Sequence, residues 1–268
     1  MPLGCLPYLD HIARESARLR AALAAAPPGA RVPTCPDWDA DDLLWHLGEV
    51  QWFWGEIAQR RLTDPADLDA MGQAREDRPP ERAALLGFCE RSSERLVRVL
   101  GELSPDTELW MWSDDHSAAY IQRRQAHEAL IHRLDAELTV GERTEIDCRL
   151  AADGVDEALR VMRGYVPQPG RSHEPLGGTV DVVALDAMHT WTVRPVRIAG
   201  TDADGEVVEA ERFAVADGPD AAAAAQICGA AADLDCWLWN RPVAHALERD
   251  GDPAALAAID RVVGAAID

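Results

Sequence analysis

The chain has 268 residues, 47% of them hydrophobic, and a formal net charge of −21 at pH 7. Its length favours two domains, and so acidic a surface is unsuited to phosphate backbones or anionic membranes, which need clustered basic groups. All 26 basic residues are arginine, which excludes a lysine-based phosphate loop and any Schiff-base chemistry.

No apolar run approaches the roughly 18–20 residues that span a bilayer. The opening stretch MPLGCLPYLDHIARESARLR lacks a secretory-signal pattern. Cys5, Cys35, Cys89, Cys148, Cys228 and Cys236 are scattered without a CxxC pair, so they read as reduced thiols of a cytoplasmic protein.

In chain order, a first helix is expected over residues 3–26, stopped by Pro27-Pro28-Gly29. A second opens after Pro36, with Asp39 as N-cap, Asp42 three residues on, and an apolar stripe of Leu43, Leu47, Val50 and Trp54. A third spans residues 80–103 behind Pro79-Pro80, and a fourth spans 116–140 and stops before Gly141. A long polar stretch parts the second from the third, as in a four-helix bundle with a crossover connection.

Beyond Gly141 the pattern changes. A short helix is expected at 151–164, a Pro/Gly-rich loop at 167–178, and strands at 179–185, 190–198 and 207–215. Asp202 and Gly205 fall in the turn between the last two strands, and helices over 221–239 and 253–267 close the chain. The fold class is therefore α plus α+β: a helical bundle over residues 1–145 and a small α+β domain over 146–268.

Chemistry concentrates in RRQAHEALIHRLDAE of the fourth helix. Glu128 and His132 are four apart and share one face, so both can reach a single metal ion. His127 and His132 are five apart, on different faces, which excludes the HExxH protease motif. His46, inside the stripe of the second helix, supplies a third ligand, and a His₂Glu set leaves open positions for water or substrate. On spacing alone the alternatives stand: a core histidine in the second helix and a surface carboxylate–imidazole pair in the fourth.

The segments CPDWDADDLLWHLGEVQWFWGEI (35–57), RRQAHEALIHRLDAE (123–137) and IDCRLAADGVDEAL (146–159) resemble the mycothiol-dependent maleylpyruvate isomerase family. Its N-terminal part belongs to the wider DinB-like group of metal-binding four-helix bundles. TVDVVALDAMHTWTV (179–193) and DLDCWLWNRP (233–242) are similar to its C-terminal domain. The resemblance implies a divalent metal, usually zinc, on His46, Glu128 and His132, with mycothiol as cofactor or co-substrate.

A metal-bound thiol would lose its proton and add to an activated double bond. Elimination after rotation gives isomerisation, and retention of the bond gives S-transfer, in biosynthesis or detoxification. A non-catalytic, metal-dependent small-ligand binding protein is the alternative from another class. Without lysine, arginine must hold a substrate carboxylate, and Arg124 and Arg241 are the candidates. Asp135 is placed to orient His132 from behind. Trp38, Trp45, Trp52, Phe53 and Trp54 read as bundle core, and Trp110 and Trp112 as the mouth of the site. The expected partners are a small thiol and a small substrate, with no nucleic acid and no membrane; the sequence is silent on oligomeric state.

Overall fold

A computed structural model describes residues 6–167, 170–201 and 207–265. Two compact units emerge, one over Pro7–Glu145 and one running from Ile146.

The first unit begins with α1 (Tyr8–Ala25), followed by a small antiparallel hairpin of β1 (Arg31–Val32) and β2 (Cys35–Asp39). Then come α2 (Ala40–Arg60), a 3₁₀ turn at Pro65–Asp67, α3 (Leu68–Gly72), α4 (Arg82–Gly101) and α5 (Ala118–Thr139). The Asp39 side chain accepts from the amides of Asp41 and Asp42, and the Asp42 side chain accepts from the Asp39 amide. This reciprocal cap fixes where α2 starts. Ser117 caps α5 by accepting from Tyr120 N at 3.1 Å.

α1 packs on α4 and α5, and α2 packs on the same two, which closes the bundle. Leu19, Leu23, Leu43, Leu44, Leu47 and Leu85 form its buried core, with Val32 of the hairpin among them. Gly48 lets α2 approach α4: a Cβ there would lie 2.8 Å from Phe88 Cδ1 and 3.2 Å from Cys89 Cα. Deeper still, the fully buried Arg133 donates to Glu15 at 2.8 Å, Glu137 at 2.9 Å and Thr144 Oγ1 at 3.0 Å. Its charge is thus neutralised by two carboxylates, the condition for keeping an arginine in a core.

The second unit opens with α6 (Cys148–Glu157), capped by Asp147 and running into a π-helical turn at Ala158–Met162. β3 (Arg171–Pro175), β4 (Val180–Ala184), β5 (His189–Thr201), β6 (Val207–Asp217) and β7 (Ala225–Gly229) follow, then α7 (Ala231–Leu238), β8 (Glu248–Gly251) and α8 (Pro253–Gly264). The long β5 pairs β4 and then β3 along one edge and β6 along the other. β7 lies parallel to β4 and antiparallel to β8. Trp191 is buried on β5, its Nε1–H donating to Asp156 at 2.9 Å.

A helical bundle followed by an α+β unit is the architecture read from the sequence, with several local corrections. The segment 221–239 is not one helix: Ala225–Gly229 is a strand whose Ile227 and Cys228 are buried in the sheet, and only Ala231–Leu238 is helical. Residues 221–224 lie in a turn ahead of that strand, and pairing with two neighbouring strands fixes Ala225–Gly229. The loop expected at 167–178 contains β3, and β8 went unforeseen because Glu248–Gly251 is an exposed, charged strand without apolar alternation. Residues 3–5 of the expected first helix, 168 and 169 of the loop, Asp202, Gly205, and 266 and 267 of the last helix lie outside the described residues. Among those described, no helix is long and apolar enough to cross a membrane.

Candidate metal centre

α2 and α5 meet where His46, Glu128 and His132 converge. Glu128 Oε1 lies 3.3 Å from His46 Nε2 and 3.2 Å from His132 Nε2. The three ligand atoms lie within 4.8 Å of one another, and among the described residues this is the group of acidic, histidine or cysteine side chains so arranged. The two imidazoles meet edge to face, with centroids 4.8 Å apart. The remaining polar atoms of Glu128 and His132 are also engaged. His132 Nδ1 lies 3.0 Å from Asp135 Oδ2, and Thr34 Oγ1 donates to Asp135 Oδ1 at 2.5 Å. Arg124 Nη2 donates to Glu128 Oε2 at 2.7 Å.

Electrostatics follow from this packing. Burial alone would raise the Glu128 carboxyl, but His132, His46 and Arg124 more than offset it and hold Glu128 well below the usual carboxylate range. Burial alone would lower His132, yet the charges and hydrogen bonds of Glu128 and Asp135 push it up to about 9. Without an ion the imidazole keeps a proton between two carboxylates, where a cation can replace that proton.

Beside His46 lies a cavity of about 350 Å³, lined also by Glu49, Val50, Trp52, Phe53, Trp54 and Arg75. Arg75 pairs with Glu49, and its guanidinium sits over the Trp45 ring at 5.5 Å. Phe88 and Trp54 belong to the buried core, and the partly buried Trp45 and Trp110 stack on them. Trp38 does not belong to that core alone: its ring lies 4.6 Å from that of His46 and 6.2 Å from that of His132. Trp112 is half exposed.

The structure thus brings together the three residues picked by spacing, and Asp135 does reach His132. Arg124 is buried against Glu128. Arg241 lies in the second unit, just past α7, with Nη1 donating to Trp239 O at 2.8 Å. Thr34 and the site-facing side of Trp38 were missed, because no spacing rule links a hairpin turn to a helix a hundred residues later. Cys35, Cys89, Cys148, Cys228 and Cys236 are free thiols, and burial pushes Cys89 up to about 12; Cys5 lies outside the described residues.

Residues 9–137 match the family model of the mycothiol maleylpyruvate isomerase N-terminal domain. The fold is similar to a crystal structure of the mycothiol-dependent maleylpyruvate isomerase, with a TM-score of 0.54 at 14% identity over 92% of this chain and 95% of that one. A histidine-to-alanine mutant of that isomerase gives a TM-score of 0.51 at 14% identity, over 87% of this chain and 88% of that one. No curated protein matches the chain by sequence.

Proposed function

We propose, from the match of residues 9–137 to the model of the mycothiol maleylpyruvate isomerase N-terminal domain, that the chain is a member of that family and a metal-dependent enzyme using a small thiol, mycothiol, on an unsaturated acid such as maleylpyruvate. The observation that carries this reading is the convergence of His46, Glu128 and His132 within 4.8 Å. Two imidazole nitrogens and one carboxylate oxygen fit a divalent ion, zinc above all, and leave room for an exchangeable ligand. When bound, such an ion supplies a Lewis-acidic position at which a thiol readily gives up its proton.

The chain's own residues do the rest. Asp135 holds His132 from behind, Arg124 holds the far oxygen of Glu128, and Trp38 covers one face of His46. The aromatic cavity beside His46 takes the carbon skeleton of the substrate. Arg241 is the proposed partner of a substrate carboxylate. Addition of the thiol sulfur to a conjugated double bond leaves a single bond that can rotate. Expulsion of the thiol then returns the isomer, and retention of the sulfur–carbon bond makes the chain an S-transferase. A cytoplasmic setting suits a reduced thiol.

Metal analysis of the purified chain beside Glu128→Gln tests the centre. The wild type is expected to carry about one zinc or similar ion per chain, and the variant much less. A wild type that stays metal-free after reconstitution sinks the reading. Assays with mycothiol then separate isomerisation, S-conjugation, and binding without turnover.

A further inference from the structure

Thr34 and Trp38 both sit on the β1–β2 hairpin, and both reach the centre described above. We propose that this hairpin is the positioning element of the centre: Thr34, through Asp135, sets His132, and Trp38 sets His46, in the orientation that ligation requires. The proposal rests on the metal reading above.

A two-stranded ribbon this short has little stability of its own, and its register is irregular between Arg31 and Val32. The bundle holds it in place. Val32 is fully buried, Cys35 and Trp38 pack against the same core, and Ala40 N donates to Ala30 O at 2.9 Å across its base. The turn residue Thr34 is thereby fixed over α5.

The two histidines are served differently. Asp135 is fully buried and gives each of these neighbours its own oxygen: Oδ1 accepts from the Thr34 hydroxyl and Oδ2 faces His132 Nδ1. With the Nδ1 proton committed to Asp135, the Nε2 lone pair is the one left to face the ligand position. The Thr34 bond prevents the carboxylate from turning away. His46 has no such acceptor behind it: among the described residues its one hydrogen-bond partner is Glu128. Its ring is therefore oriented by packing, with Trp38 tilted at 45° on one side and His132 edge-on at 80°.

Zinc affinity of the full chain, measured by chelator competition, tests this alongside melting of each metal-free variant. Thr34→Val is expected to weaken zinc binding about 10–100-fold, the usual effect of losing an outer-shell partner. Thr34→Ser should restore binding, and Trp38→Ala should weaken it more than Trp38→Phe. Long-range proton–nitrogen spectra of the histidines should show a slowly exchanging His132 Nδ1–H in wild type and Thr34→Ser that is lost in Thr34→Val. Equal zinc affinity in wild type and Thr34→Val, or equal losses in the valine and serine variants, overturns the proposal alone. A wild type that binds no zinc overturns the metal reading with it. If Thr34→Val fails to fold, the Trp38 pair decides: equal affinity in Trp38→Ala and wild type overturns the hairpin's role.

Discussion

At the scale of single residues, His132 is the point of competition between a proton and a cation. Its imidazole, pushed up to about 9, is charged at neutral pH in the metal-free chain, and ligation needs it neutral. Zinc affinity should therefore climb by up to about tenfold per pH unit between about pH 7 and 9, with release of about one proton per ion bound. An affinity flat over that window would count against His132 as a ligand. The shift has a second sign. A raised folded value stabilises the metal-free chain fully below the unfolded value of 6.5, and that contribution is lost as pH rises through about 9. Metal-free protein should thus weaken on the alkaline side while the loaded form does not.

Among the elements, α2 and α4 are held together at a glycine. Gly48→Ala would gain helix propensity of about 1 kcal/mol. It would also drive a methyl against the Phe88 ring and the Cys89 backbone, neither free to move while Phe88 is buried and stacked on Trp45. Overpacking of this kind costs about 1–3 kcal/mol, so a net fall in melting temperature is expected; a rise would show that the two helices can part. The bundle was legible because its helices carry caps and stripes: Asp39 with Asp42 marked one start, and Leu43, Leu47 and Trp54 marked the buried face. Glu128 and His132 were legible because a four-residue step on a helix fixes their neighbourhood. The hairpin was not, since Arg31–Asp39 is held by what it packs against and not by strand preference. The alanine run before Ile227 misled for the same reason: it ends in a turn, and the strand that follows it, Ala225–Gly229, exists only through pairing with β4 and β8.

Across the whole molecule, charge governs the response to acid. Burial would raise Glu128 and Glu137, but their cationic and hydrogen-bonding neighbours hold both below the usual carboxylate value. Each therefore contributes stability that is present above the unfolded value of 4.5 and lost as pH falls through the lower folded values. The net charge of −21 also shrinks as pH approaches the sequence pI of about 4.7, where repulsion between chains is least. Denaturant midpoints should hold from about pH 7 to 5 and then drop, with the solubility minimum near the pI. Midpoints unchanged down to about pH 3 would mean that these carboxylates gain nothing from their partners.

His46 and Glu128 are 82 positions apart in the chain, and α3 and α4 lie between them. With an ion seated on both, that stretch becomes a closed ring, and the ion acts as a clasp as much as a reagent. A covalent link closing a ring of this size removes about 4 to 5 kcal/mol of freedom from the unfolded chain, and a metal clasp acts in the same direction for as long as it survives unfolding. The segment from Ile146 onward lies outside the ring, so heating the loaded chain should melt that segment first and the clasped bundle last.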